Sequence, residues 1–467
     1  MRNQSKYLIV VIAAVMAFSS CKKFLEVTPE DRLTEDQVFS NKKNVEAAIN
    51  GLYLRASTAG LYGEKLTMSI PELFAQRYNI PATHTKIKFA TLSLTDANVA
   101  KELEEIWKNA YSIIFSSNVI QARLNRSRGI LDAKTDSLYQ GEVLAIRALL
   151  HFDMLRLFGP MYSTKDSVLK SIPYCSQSDV AVTPFLPANV VMGNIVYDLK
   201  KAEQLVSIDT SKNFDKRYRF NYFAIKALQA RVYLYRGDKT SALAAAKVLI
   251  DNQARFPWVL RNNLTGEKTN SDRIFSTEMI FGVYNSDLYA GQQKIFGADV
   301  AAKDILAPLD TRLAEVYESS TLDYRYGFAQ LWRNTEVKSY KTFFKYVDVD
   351  DKSKPWRNTV PLLKKSEMYY IAAECESNKE IAIGYLNTVR LNRNIAGLPL
   401  TLTDVQFKGE ILKEYQKEFF GEGQLFSYYK RTNAATIQNG SLAAGTIAMD
   451  ATKYVVPIPE SEISNRN

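Results

Sequence analysis

Apolar residues recur at three- and four-residue steps over much of this chain, and that spacing predicts helices. Residues 139–158 carry two such stripes. Val143, Ile146, Leu150, Met154 and Leu157 form one, and Leu144, Ala148, Phe152 and Leu155 form the other. A helix apolar on two sides is expected to pack on two sides. The same periodicity predicts helices over residues 44–53 and 102–124, and on the second of these Trp107, Tyr111 and Ile114 share a core face.

Residues 222–249 hold a run rich in small and aromatic side chains, a Gly237-Asp238 turn and then an alanine-rich run. Two helices joined in this way form a tetratricopeptide-like hairpin. Ala227, Ala230, Ala242 and Ala245 permit close approach, with Tyr233 and Tyr235 expected to fill the groove between the helices. Residues 368–393 repeat the pattern in shortened form, Ala372, Ala373 and Ala382 flanking a polar turn at Ser377. Adding residues 107–124 with 139–158, and 190–206 beside the first hairpin, gives about four helix pairs, enough for neighbours to bury a continuous core.

Two stretches lack any long period, residues 76–98 and 285–357, where Pro, Gly, Asn and Asp interrupt the pattern. Loops of that length are functional or disordered. The second holds Tyr289, Phe296, Tyr317, Tyr324, Tyr326, Trp332 and Tyr340, too many rings for a solvated linker.

At the N-terminus, Arg2 and Lys6 precede a largely apolar run over residues 7–18, followed by Ser19, Ser20 and Cys21. This is the form of a secretory signal with a lipoprotein cleavage site, residues 1–20 being the signal. The run is too short to span a bilayer, which takes about 20 residues. The Cys21 thiol is the nucleophile that takes the lipid, and several acyl chains hold firmly where one binds only marginally. Loss of residues 1–20 removes Arg2 and Lys6, so the net charge of +10 becomes +8. A basic balance fits nucleic acid, an anionic surface or an acidic ligand, and an exported protein rarely meets nucleic acid. The lysines and arginines are spread along the chain, so the charge reads first as a solvated surface and second as a hint of an acidic ligand.

Cys175 and Cys375 have no partner at metal-ligand spacing, and His84 and His151 complete an inventory too poor for zinc. Cys375 reads as a core thiol and His151 as a packed residue. No metal, cofactor or catalytic residue is expected. A triad needs an oriented histidine, no spacing among the fifty carboxylates selects a glycosidase pair, and the turn at residues 421–423 lacks the lysine and spacing of a phosphate loop.

Several separated motifs carry a resemblance. Phe24, Leu25, Glu26 and Pro29 follow Cys21, and Ala47-Ala48-Ile49-Asn50-Gly51-Leu52-Tyr53 comes next. Arg147-Ala148 precedes Leu157-Phe158-Gly159. Later come Val360-Pro361-Leu362-Leu363, Ala373-Glu374, Leu386-Asn387 and Val389-Arg390, and the chain closes on Tyr454, Pro457-Ile458-Pro459, Glu462 and Asn465. In this order the sequence resembles the SusD-like (RagB/SusD) family of outer-membrane nutrient-binding lipoproteins.

The resemblance implies a mainly α fold in which tetratricopeptide-like pairs form a scaffold and irregular segments carry the ligand face. The implied divisions are a tether at 21–40, helical repeats at about 41–75, 99–284 and 358–431, ligand segments at about 76–98 and 285–357, and a C-terminal segment at 432–467. It also implies a protein held in the outer membrane by the lipid on Cys21 and exposed at the cell surface. There it would capture a glycan for import through a SusC-like TonB-dependent transporter, with no nucleic acid involved. A peptide ligand, a helical-repeat interaction scaffold and, less favoured, a glycoside hydrolase are the alternatives. One stretch departs from the family pattern: residues 412–431 keep Glu414, Glu418, Glu422-Gly423 and Arg431, but carry Tyr415, Leu425 and Tyr428 where arginine, arginine and aspartate are usual. An altered helix-packing network is expected there.

Sugar recognition needs flat aromatic faces together with amides and charged groups for the hydroxyls. On that ground the candidate ligand residues are Arg77, Tyr78, Asn79, Tyr289, Tyr324, Tyr326 and Trp332, with Asn285, Asp287, Gln292 and Arg325 as further hydroxyl partners. Trp258 and Trp356, beside Pro257 and Pro355, are left unassigned.

Overall fold

Short polar side chains start most of the long helices. Asn41 accepts the Asn44 amide ahead of α1 (Lys42–Ala56), while α2 spans Ala97–Arg126. Asp132 accepts the Thr135 amide ahead of α3 (Ala133–Phe158), and α4 (Ala188–Val206) enters from Pro187. Asn221 and Asp238 cap α5 (Tyr222–Arg236) and α6 (Lys239–Asp251). Asn378 caps α8 (Lys379–Leu391), which follows α7 (Lys365–Cys375). Thr403 and Gln406 form a reciprocal capping box at α9 (Asp404–Glu418), and α10 covers Leu425–Arg431. Each cap satisfies an amide that the helix itself leaves unpaired. The turn between α5 and α6 needs a left-handed residue, and Gly237 supplies it with φ 85°.

These elements come from a computed structural model that describes residues 34–467 apart from 127, 128, 164, 214, 266, 267, 329, 330, 465 and 467. The expected signal sequence, residues 1–20, and Cys21 lie outside the described residues. Helix accounts for 54% of the described residues, with few short strands among them, so the expected mainly α class holds.

From α1 to α6 the consecutive helices pack on one another, except that α1 touches α3 as well as α2, and α6 then packs directly on α7 and α7 on α8. Ridges of small residues allow these close approaches. Every residue of α3 from Gly141 to Phe158 is buried, so the two apolar stripes understate its burial. Helices surround it on more than two sides, and its charges are paired: Arg147 with Asp198 at 2.7 Å, and Glu142 with Arg219 at 2.7 Å. The expectation for Tyr235 is corrected. Its ring meets Phe152 of α3 at 5.5 Å and Tyr162 at 5.9 Å, because alanines already close the α5–α6 groove.

The chain between α6 and α7 leaves the array and returns to it. Strand β1 (Met279–Tyr284) pairs antiparallel with β2 (Thr359–Lys364), Met279 opposite Lys364 and Tyr284 opposite Thr359. Residues 285–358 thus enter and leave through one two-stranded neck. Within them lie helices at Leu288–Phe296 and Asp310–Val316 and a short hairpin pairing Trp332 with Phe343. Hydrophobic residues of this segment join the same core cluster as the helical array.

Candidate ligand-binding site

The long irregular segment is pinned to the helices by buried charge. Arg325, 1% exposed, pairs with Asp323 at 2.7 Å, Glu414 at 2.8 Å and Glu418 at 3.2 Å. Arg393 bridges Glu278 at 2.6 Å and Glu418 at 2.8 Å, and Lys364 reaches Glu418 at 3.2 Å and Glu422 at 2.8 Å. Burial pushes the Glu418 carboxyl up, but Arg393 and Lys364 outweigh it and hold the group well below the usual carboxylate range. Glu414 and Glu418 are one helical turn apart on α9 and so face the same cations. Glu72, fully buried, accepts the Gly421 and Gly423 amides at 3.2 and 2.9 Å. Both glycines have φ 71°, and a Cβ on Gly423 would meet the Leu66 carbonyl at 2.1 Å. The turn at 421–423 is therefore a structural clasp.

The altered motif is an aromatic cluster. Tyr415 and Tyr428 lie 4.5 Å apart, Tyr370 is 5.5 Å from Tyr415, and Leu425 is buried nearby on α10. Arg431 pairs with Glu374 at 2.9 Å and lies 5.2 Å from the Tyr428 ring centre.

Three predicted ligand residues converge on one interior ring. The Arg77 guanidinium lies 4.0 Å over Phe420, Trp332 is 4.6 Å from that ring and Tyr78 is 5.9 Å from it. Trp332 is 6% exposed and Tyr78 1%, so neither offers a face to a sugar. This corrects their assignment: Phe296, Phe343 and Phe420 enclose them, and the Tyr78 hydroxyl donates to the Met68 carbonyl at 2.6 Å. Arg325, Asn285 and Gln292 are buried as well, Gln292 donating to the Phe343 carbonyl at 3.0 Å. Tyr289, Tyr324 and Tyr326 are half-buried and sit at separate places. Tyr289 is at the neck, its hydroxyl accepting the Asn358 amide at 2.7 Å, and Tyr326 stacks on Tyr317 at 5.0 Å. The Tyr324 amide donates to the Arg393 carbonyl at 3.0 Å. Asp287 is exposed. Trp258 lies under the Lys365 ammonium at 3.7 Å, and Trp356 is half-buried.

Asn79 is placed differently. It stands where the two irregular stretches are sewn together, its amide donating to the Ala307 carbonyl at 2.8 Å and the Thr85 amide donating to Lys303 at 2.9 Å. His84 is a strut in this seam: its Nδ1 accepts the Lys86 amide at 3.0 Å, which leaves Nε2–H to donate to the Ile305 carbonyl at 3.1 Å. Over the seam opens a cleft of about 390 Å³, lined by Asn79, Pro81, Ala302, Ile305, Ala307, Pro308, Leu309, Asp310, Thr311 and Tyr340. That volume suits a small ligand, and the lining is the usual mixture of apolar surface with a few polar groups. Tyr340 is half-buried, which pushes its phenol up. Asp310 accepts the Lys341 amide at 3.2 Å.

Sequence reasoning included Asn79 and missed Asp310, Thr311 and Tyr340 as a group. The available signal was the break at Pro308 ahead of a helix start at Asp310, inside an otherwise irregular stretch. A larger groove of about 530 Å³ runs between α7, α8 and α9, but its rings, Phe407 and Tyr428, are buried. Among the described residues no cluster of three or more His, Cys, Asp or Glu is placed to hold a metal. Burial pushes the half-buried Cys375 thiol up to about 12.

Comparison with known proteins gives the same fold. Residues 23–234 match the family described as "Starch-binding associating with outer membrane", and residues 255–467 match the SusD family. SusD-like protein P2 of Formosa agariphila is 28% identical over 259 residues, 54% of this chain and 47% of that protein. A SusD-like protein of Bacteroides ovatus is 25% identical over 234 residues, 50% of this chain and 40% of that one. The matched region is thus less than half the length of each of these curated relatives. A SusD superfamily crystal structure from Bacteroides thetaiotaomicron superposes with a TM-score of 0.73 at 21% identity, covering 90% of this chain and 97% of that one. Surface glycan-binding protein A from Bacteroides thetaiotaomicron gives 0.68 at 17% identity, covering 92% and 98%. With both halves matched to SusD-type families and the helical array shared with SusD structures, this chain belongs to the SusD-like family.

Proposed function

We propose that this protein is a glycan-binding lipoprotein of the outer membrane that holds its ligand in the seam cleft without cleaving it. The observation that carries the reading is the cleft itself, where Tyr340, the Asn79 amide and the Asp310 carboxylate surround an apolar floor. The Asn79 side-chain amide makes no hydrogen bond to the protein among the described residues, so it is available to a hydroxyl. The family described as starch-binding and outer-membrane-associating supports the ligand class and the location, as does the glycan-binding name of a protein with the same fold. Cys21 is the proposed lipid site, and a SusC-like TonB-dependent transporter is the proposed receiver of the ligand, docking on the helical array. A panel of soluble polysaccharides and oligopeptides tested against the mature chain decides the matter. The reading expects glycan binding near micromolar affinity or weaker, about −8 kcal/mol, as befits a protein that passes its ligand on. Binding of peptides alone, or release of reducing ends from any glycan, overturns it.

A further inference from the structure

Building on the glycan reading of the seam cleft, we infer that the cleft selects uncharged sugar units over carboxylated or sulfated ones, and that Asp310 is the discriminating residue. Among the side chains lining the cleft, Asp310 alone is charged. Its Oδ1 accepts the Lys341 amide at 3.2 Å, and its Oδ2 has no protein partner among the described residues. A free carboxylate oxygen beside an open aromatic ring accepts a sugar hydroxyl in a charge-assisted hydrogen bond. A carboxylate or sulfate on the ligand meets the same oxygen as a like charge.

The cations near the cleft are turned to other work. The Lys341 ammonium lies 5.9 Å over the Tyr326 ring, and the Lys338 ammonium donates to the Val300 carbonyl at 2.7 Å. Arg312 donates to the carbonyls of Asn439, Leu442 and Gly445 and pairs with Glu315. Lys303, exposed, is next to Asp304, so that pair adds no net charge. The overall charge of +10 is therefore not expressed at this site, and the acidic ligand hinted at by composition is disfavoured there. Low-dielectric walls of Pro81, Ile305, Ala307, Pro308 and Leu309 strengthen the repulsion, since a charge beside apolar surface is screened less than one in water. Rejection of a competitor by an unpaired like charge is a common way to gain specificity.

The test compares matched pairs that differ only in charge. Amylose is set against amylose oxidised at its primary hydroxyls, and fully methyl-esterified homogalacturonan against its free acid, by calorimetry with the purified chain at low and high salt. The neutral member of a binding pair should bind about tenfold or more tightly at low salt, with the gap narrowing at high salt. Asp310→Asn, which can still accept the Lys341 amide, should shrink the gap to about twofold with an unchanged melting temperature, and Asp310→Glu should restore it. Equal or tighter binding of the acidic member, or a gap untouched by Asp310→Asn, overturns this inference and leaves the glycan reading standing. If none of the four binds, the same comparison is made on a panel glycan that does and its carboxylated form, and binding of no panel glycan overturns both.

Discussion

The Cys175 backbone amide donates to His151 Nε2 at 3.1 Å, and His151 Nδ1 lies 3.0 Å from the Arg147 carbonyl. An amide can only donate, so Nε2 is unprotonated and Nδ1 carries the proton. The ring is buried and stacked on Tyr174 at 4.1 Å. Burial, with Arg147 adding to it, lowers its pKa from 6.5 to about 3. The folded value lies below the unfolded one. Stability from the neutral ring is therefore fully present above about pH 6.5 and is lost as pH falls toward 3.

A denaturation series across that window should show a falling urea midpoint, and His151→Gln, which cannot titrate, should flatten the fall while lowering the midpoint at neutral pH. Burial raises Glu72 to about 7, which acts in the opposite sense: stability is present below about 4.5 and is lost as pH rises through 7. The difference between wild type and variant isolates His151 from this term. Identical slopes would refute the assignment.

Arg393 is the shared partner of Glu278 and Glu418. Arg393→Met should cost about 3–5 kcal/mol, because it strands the buried Glu278 carboxylate, while Glu418 keeps Arg325 and Lys364. Combining it with Glu278→Leu should recover part of the loss, although the Val259 amide then loses its acceptor. A single variant within about 1 kcal/mol of wild type, measured by equilibrium denaturation, would show that the network is not coupled.

Trp332 and Tyr340 are close in the chain and should behave oppositely. Trp332→Ala should cost about 3–5 kcal/mol of stability by opening a cavity against Phe420. Tyr340→Ala should leave the melting temperature near that of wild type and weaken binding of a panel glycan by about 1–2 kcal/mol. Paired melting and calorimetry distinguish the two, and unchanged affinity in Tyr340→Ala counts against the cleft.

Cys21→Ala should abolish incorporation of labelled fatty acid and move the protein out of the membrane fraction, since no other thiol stands at the cleavage site. Persistent labelling would place the anchor elsewhere.

What was legible in the sequence was local. The α5–α6 hairpin follows from Asn221, Asp238 and Gly237, each acting within a few residues of itself. The roles of Trp332 and Tyr340 depend on contacts distant in sequence. Pairing of Trp332 with Phe343 and Arg333 with Thr342 sends Trp332 to the core and makes residues 334–341 the turn that carries Tyr340 outward. Composition cannot say which ring of such a hairpin is inside, because a one-residue change of register exchanges the two faces. Arg325 was misread for the same reason, since Glu414 and Glu418 reach it from another part of the chain.

The pairing of Tyr284 with Thr359 brings both ends of the 285–358 segment to one point on the helical array. Lengthening such a segment costs only the slow growth of loop-closure entropy, about 0.6 kcal/mol per doubling. Descendants of this chain can therefore rewrite the turns on either side of the pins at Arg325 and Trp332, changing what the cleft accepts, while inheriting the helices that hold it unaltered.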